Sequence, residues 1–407
     1  MPAAVRIGDR HLLYAAAFLR ALATGMAGVL LGIYLARLSL KTAQIGLVVA
    51  AGLWGAALAS LLAMLRADAV GRRAFLTALA LLGAVGAAAF ALASSLAALG
   101  AAAFIGMLNG MGRDRGAALV LEQASLPATV PDDRRTRAFA AYNVLQDVGH
   151  AAGSLLAGLP AILSGPGGAG DLASFRLAFG LYAFFLLLLV PLYLRLSPAV
   201  EAPAGRPAVR VSPGSRRILQ RIGALFAVDS LAGGFLTTAM LTLFFCERFG
   251  VDTGVVAPLF FGARVANALS HVGAAWLARR IGLVNTMVFT HIPSSLLLVT
   301  VAFAPSFPVA AALFLLREGL VEMDVPTRQS YVMAVVRPEE RTFASGLTHL
   351  VRMGSWAAAP AFAGLFMQEV SLLTPLLIGA AMKVAYDVLL YAAFRKVVPP
   401  EEGGLTK

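Results

Sequence analysis

The feature that most constrains this chain is a succession of long apolar runs broken by short basic loops. The runs lie near 12–35, 43–66, 73–95, 97–121, 138–162 and 175–195, and again near 219–245, 254–278, 284–304, 308–333, 343–366 and 371–394. A helix rises ~1.5 Å per residue, so about 20 apolar residues cross a ~30 Å hydrocarbon layer. Twelve such segments fill a 407-residue chain. The mean hydropathy is +0.81, and 59% of the residues are hydrophobic against 13% charged. No soluble core accommodates that excess; lipid does. The expectation is an all-α membrane protein with twelve transmembrane helices in two pseudo-symmetric halves.

The basic residues are sorted by side. One set of loops carries Arg66, Arg72 and Arg73, then Arg134, Arg135 and Arg137, then Arg279 and Arg280, Arg337 and Arg341, and Arg395 and Lys396. The opposite loops carry only Arg37, Lys41, Arg176 and Arg248. Under the positive-inside rule this bias makes both termini cytoplasmic, in a multi-pass protein of a bacterial-type cytoplasmic (inner) membrane. The formal charge of +12 is thereby a topology signal rather than a nucleic-acid footprint. Ser197 to Arg221 is rich in proline and arginine. It reads as a cytoplasmic linker (197–218) between an N-terminal half (1–196) and a C-terminal half (219–407). The lone Cys246 excludes an internal disulfide and any multi-cysteine metal site. The five histidines lack metal-ligand spacing, and Met107 and Met111 read as ordinary packing on helix 4. No cleavable leader is read at the N-terminus.

The halves echo each other. "PDDRRTRAFAAYN" (131–143) matches "PEERTFASGLTH" (338–349), "LEQAS" (121–125) matches "TRQSY" (327–331), and "MLRADAVGRRAFL" (64–76) matches "AWLARRIGLVNTM" (275–287). Parallel six-helix repeats place a solute site at their interface near the midplane, and rocking of the halves gives alternating access.

These segments resemble the major facilitator superfamily over nearly the whole chain. The family loop after helix 2 reads G-x-L-A-D-R-x-G-R-R; Asp68, Gly71, Arg72 and Arg73 match it, while Met64 and Ala69 depart. The second copy keeps Leu277, Ala278, Arg280 and Gly282, with Arg279 in place of the acid. The resemblance implies a cytoplasmic latch built from this loop and from Glu339, Glu340 and Arg341. In physical terms, Gly71 allows a tight turn, Asp68 caps or pairs at a helix end, and Arg72 and Arg73 face Asp132 and Asp133.

Ionisable residues inside spanning helices are costly and face a cavity or a partner. Helix 1 has Arg20 and helix 7 has Asp229 at matching repeat positions. Helix 4 has Arg113, Asp114, Arg115 and Glu122, and helix 10 has Arg317, Glu318, Glu322, Asp324 and Arg328. In the resembled family, helices 1, 4, 7 and 10 line the central cavity. Substrate or proton-binding candidates are therefore Arg20, Asp229, Arg113, Asp114, Arg317, Glu318, Glu322 and Asp324. Asp229 and then Asp114 are the first candidates to load protons; a plain salt bridge from Arg20 to Asp229 is the competing reading. Glu122, Gln123, Arg328 and Gln329 are repeat-related and are assigned either to a cytoplasmic gate or to headgroup snorkelling. Lys383 and Asp387, four apart on helix 12, are expected to neutralise each other.

The expected function is secondary transport of a small solute. Neither a nucleophile–base constellation nor a phosphate cradle of the G-x-x-x-x-G-K-[ST] type occurs, so neither an enzyme nor direct ATP drive is expected. No cofactor is expected, and a proton gradient supplies the energy. Helix 5, "DVGHAAGSLLAGLP" (147–160), keeps small packing residues but lacks the Gly-Pro pair of proton-driven drug exporters. Two substrate classes stay open: amphipathic compounds exported through Asp229 or Asp114, which is preferred, and anions held by Arg20, Arg113 and Arg328 moving in either direction. The partners are then a small molecule and the bilayer, without nucleic acid, and the resemblance implies a monomer.

Overall fold

A computed structural model describes residues 8–131, 135–164, 171–201, 212–324, 328 and 341–394. Fifteen α-helices run through them. The first eight are α1 (Asp9–Arg37), α2 (Thr42–Val70), α3 (Arg72–Leu92), α4 (Leu96–Gly106), α5 (Ala117–Ser125), α6 (Arg135–Leu156), α7 (Leu159–Leu163) and α8 (Leu172–Leu194). After the linker come α9 (Pro213–Phe235), α10 (Thr238–Phe249), α11 (Thr253–Ile281), α12 (Leu283–Ala302), α13 (Phe307–Val321), α14 (Arg341–Glu369) and α15 (Thr374–Phe394). Among the described residues, nine helical segments are long and apolar enough to cross a membrane. The interrupted α4–α5 pair, α6 and α13 occupy the other apolar runs. Large apolar side chains such as Leu177, Leu269 and Phe289 stand more than half exposed on the outside. On a soluble surface that belt would drive aggregation; against lipid tails it is at equilibrium.

Helices in lipid gain little from burying apolar surface against one another, so close packing of small residues takes over. A Cβ built on Gly32 of α1 would lie 2.4 Å from the Ala239 carbonyl of α10, and one on Gly46 of α2 would lie 2.3 Å from the Pro360 carbonyl of α14. Both positions lie toward the end of the bundle away from the chain's first residues, where α1–α2 and α10–α14 touch backbone to backbone. The turns at the other end are glycine-made as expected. Gly71, between α2 and α3, has φ 102°, and Gly282, its repeat counterpart between α11 and α12, has φ 85°. Only glycine adopts such angles without strain.

The continuous fourth helix expected over 97–121 is corrected. Met107 takes a left-handed conformation (φ 52°) and ends α4; regular helix resumes only at Ala117. Met107 and Met111 therefore do not share a helical face. Asn109, Gly110, Gly112 and Gly116 fall in the gap, where helix propensity is lowest. Irregular backbone at membrane depth survives only where protein satisfies its polar groups. Asn109 Nδ2 donates to the Arg113 carbonyl (2.6 Å), and its Oδ1 accepts from the Met111 amide (2.8 Å). The Asp114 amide donates to His150 Nε2 (2.8 Å). From the other half of the chain, the Ala239 amide reaches the Gly110 carbonyl (3.0 Å) and Thr238 Oγ1 the Met111 carbonyl (2.7 Å). Both donors lie at the start of α10, beyond the break at Leu236 and Thr237 that divides the seventh run. The two interruptions brace each other.

Candidate functional site

The unwound segment 107–116 ends beside a space of about 740 Å³ between the two sets of helices. From α1–α8 only Met111, Arg113 and Arg115 reach its wall; the rest comes from α9–α15 and the residues just after α13. Four carboxylates line it: Asp229, Glu318, Glu322 and Asp324. Against them stand seven cations. Arg113, Arg115, Arg317 and Arg328 are joined by Arg264, Arg352 and Lys383. Among the described residues the lining therefore carries three positive charges in excess.

Most of these charges pair. Glu322 Oε2 lies 2.5 Å from Arg113 Nη1 and 3.7 Å from Arg115 Nη2, so an acid just past α13 ties the unwound segment to the second half of the chain by ion pairs. Arg113 also donates to Asn267 Oδ1 on α11, and Asn267 Nδ2 donates to Glu318 Oε2 (2.9 Å). Arg317 pairs with its neighbour Glu318. Arg115 and Arg352 cover the ring of Trp356 with their guanidinium carbons 4.8 and 4.6 Å from its centroid, a cation–π arrangement across the two sets of helices.

Arg264 and Arg352 differ. Arg264 is buried and Arg352 half-buried, and among the described residues neither pairs with a carboxylate. Arg264 donates to Thr238 Oγ1 (3.1 Å) while its Nε finds no partner; Arg352 Nε donates to Ser230 Oγ (3.2 Å). An uncompensated buried cation is expensive unless something anionic visits it.

Two further charge clusters flank the cavity. In the first, Arg20 of α1 donates to Asp114 and, in a fork, to Glu122 Oε1 (2.5 Å) and Oε2 (2.8 Å). Tyr193 donates to Glu122 Oε1 (2.6 Å) and Tyr142 to Oε2 (2.7 Å). Glu122 is fully buried. In the second, Arg328 pairs with Asp229 (2.9 Å) and Asp324 (2.7 Å), and Lys383 Nζ donates to Asp229 Oδ1 (3.0 Å).

This geometry overturns two expectations. Arg20 and Asp229 do not bridge the two halves, because each is neutralised by helices of its own half. Lys383 does not pair with Asp387 one turn away. It turns to Asp229, while Asp387 meets His291 Nδ1 (3.0 Å). A shared helical turn offers a weak exposed pair, and buried partners on neighbouring helices replace it. Nor is Glu122 a snorkelling side chain: it is the anchor of the Arg20 cluster.

The expected latch residues gather elsewhere. Arg72 Nε pairs with Asp68 (2.8 Å), and its Nη1 reaches the Ala124 carbonyl (3.0 Å), next to Gln123 on α5. Arg73 Nη1 reaches the Leu196 carbonyl (3.2 Å). Glu201, which sequence reasoning missed, accepts from the Arg72 amide (2.5 Å) and the Arg73 amide (3.3 Å), placing a carboxylate on the free N–H groups at the start of α3. Arg341 opens α14. Asp132, Asp133, Gln329, Glu339 and Glu340 lie outside the described residues. Among the described residues there is no cluster of acidic, histidine or cysteine side chains able to hold a metal. The missed members of the two clusters, Tyr142, Tyr193 and His291, come from helices outside the four on which the sequence argument concentrated. One signal was present: positions 20 and 229 correspond, as do 122 and 328, and both pairs exchange sign.

Comparisons with known proteins agree with this architecture. The chain is 24% identical over 420 residues to an uncharacterized membrane protein of Saccharomyces cerevisiae, covering 95% of this chain and 94% of that one. Its fold is similar to a nucleoside transporter structure (TM-score 0.74, 16% identity, 96% of this chain and 100% of that one). It is also similar to a D-xylose–proton symporter (0.71, 14%, 96% and 98%) and to a human organic anion transporter (0.63, 17%, 94% and 99%). The model of the Major Facilitator Superfamily matches residues 13–360. A helical membrane protein with a charged cavity between two sets of helices, matched by that model over most of its length, the chain belongs to the Major Facilitator Superfamily of secondary transporters.

Proposed function

We propose that this transporter moves a small organic anion by alternating access, coupled to protons. The observation that carries the reading is the buried Arg264 and the half-buried Arg352, which line the cavity without a carboxylate partner among the described residues. A lipophilic cation would add charge to a wall already positive by three. An anion would supply the missing counter-charges, and guanidinium forks suit a planar carboxylate. The human organic anion transporter with a similar fold is consistent with this class. The anion reading thus displaces export of amphipathic cations as the preferred one. The arginine bias of the loops supports a cytoplasmic membrane with both termini cytoplasmic.

The test is thermal stabilisation of the purified protein by benzoate, citrate, glucuronate and inorganic phosphate, compared with tetraphenylphosphonium and uridine. A solute that binds only the folded state at 100 times its Kd stabilises it by about 2.7 kcal/mol. Stabilisation by an organic anion that disappears in Arg264→Gln and in Arg352→Gln is the expected result. Stabilisation by the lipophilic cation alone would refute the reading.

A further inference from the structure

His291 of α12 lines the cavity with Asp229. Lys383 Nζ of α15 donates to Asp229 Oδ1 (3.0 Å) and stands 3.2 Å from His291 Nε2. His291 Nδ1 is 3.0 Å from both oxygens of Asp387. An ammonium has donors only, so Nε2 is the acceptor; the ring proton is on Nδ1, and Asp387 accepts it. The groups facing the ring are Asp387, Lys383 and the edge-on ring of Tyr386 from α15 (centroids 6.2 Å apart), and Asp229 from α9 beyond the ammonium. Arg328 meets Asp229 from the other side, and Arg352 of α14 reaches the neighbouring Ser230. His291 and Asp387 are each 1% exposed or less.

The two carboxylates of this chain of contacts are treated unequally. Asp229 is held by two cations, Arg328 and Lys383, so a proton placed there would displace both. Asp387 is fully buried, and its described partner is a neutral imidazole.

We propose that His291, on the cavity wall, and Asp387 behind it form a proton-binding site that acts on the cavity through Lys383. It rests on the transporter reading and gives its coupling proton an address. A proton entering from cavity water passes by way of Asp229 and Lys383 to His291 Nε2. Lys383 gives one proton to the ring and regains one from the Asp229 side, so the net change is one new N–H bond. The imidazolium then presents an N–H where Lys383 had an acceptor, and two cations face each other. Lys383 swings wholly onto Asp229, and the Asp229–Arg328 pair at the cavity wall loosens. Release of the proton restores the Lys383–His291 contact and draws the ammonium back. The occupied and empty proton states thus differ in how firmly Arg328 is held at the wall.

The test needs no transported solute, so its outcome is independent of the anion reading. Full-length protein with ¹⁵N-labelled histidine rings is placed in nanodiscs, and the His291 signals are identified as those lost in His291→Gln. The expected result is an Nδ1–H ring at high pH that becomes imidazolium as the pH is lowered through histidine's ordinary range of about pH 8 to 5. Asp387→Asn lowers the proton affinity at least tenfold, and Lys383→Gln raises it, because one removes the counter-charge and the other the competing cation. Lys383→Gln alone decides the matter if Asp387→Asn does not fold. A ring that stays neutral across this range, or a midpoint that a folded variant of the two leaves unmoved, would overturn the proposal.

Discussion

The Arg20 cluster and the Asp229 cluster are the same device built with opposite signs, and they have different fates. In the first half of the chain the cation is on α1, and the acids Asp114 and Glu122 lie on and just before α5. In the second half the acid is on α9, and Arg328 follows α13. Repeat-related positions keep a buried bond between corresponding helices while exchanging its charges. The first cluster is saturated, although Arg20, Asp114 and Tyr193 border a second space: Tyr142 and Tyr193 occupy both oxygens of Glu122, and Arg20 spends its donors on the two acids and the same hydroxyls. The second stays open on two sides, because Asp229, Arg328, Asp324 and Lys383 all line the cavity and Lys383 continues to His291. A saturated polar network fixes one geometry, whereas one whose ammonium is shared between two acceptors has more than one. The first cluster holds its half of the molecule together; the second is placed to respond to what enters the cavity.

That contrast can be broken by mutation. Arg20→Met strands two buried carboxylates and should cost about 3–5 kcal/mol in unfolding free energy. Arg328→Met should cost less, because Lys383 still neutralises Asp229 and only Asp324 loses its ion pair with Arg328. Equal losses in thermal or denaturant unfolding would mean the two clusters are structurally equivalent. Tyr193→Phe removes one hydrogen bond to a buried charge, which should cost about 1.5–3 kcal/mol with the cavity's ligand response unchanged. An altered response to cavity anions in that variant would show the first cluster to be part of the binding site. The smallest effect belongs to the loop at the start of α3. Glu201→Gln weakens an anion placed on free helix N–H groups and should cost about 1 kcal/mol, with any further change confined to the rate of conformational exchange. A loss as large as that of Arg20→Met would make the linker, rather than the buried cluster, the main lock of this half.

Much of this was legible in the sequence. Hydropathy gave the helices; duplication gave the correspondence of Gly71 with Gly282, whose positive φ angles confirm matching turns. The list of buried charges was nearly complete, because a charged residue inside an apolar run has few innocent explanations. Their partners were not legible. Lys383 and Asp387 look like a pair along a helix, yet each turns to a different neighbour, because packing rather than spacing decides which buried groups meet. The break in the fourth run was hidden for a similar reason. Asn109, Gly110, Gly112 and Gly116 weaken the helix, but unwinding at this depth is possible only because Ala239, Thr238 and His150 supply the lost hydrogen bonds from afar. The tyrosines that close on Glu122 carry no periodic or charge signal at all.

The most direct measurement of the central claim is uptake of labelled benzoate, citrate and glucuronate by proteoliposomes under an imposed pH gradient, with tetraphenylphosphonium as the opposite-charge control. The account predicts gradient-dependent accumulation of at least one organic anion, collapsing in Arg264→Gln and Arg352→Gln. Gradient-driven movement of the lipophilic cation, unchanged in those two variants and without movement of any anion, would contradict it.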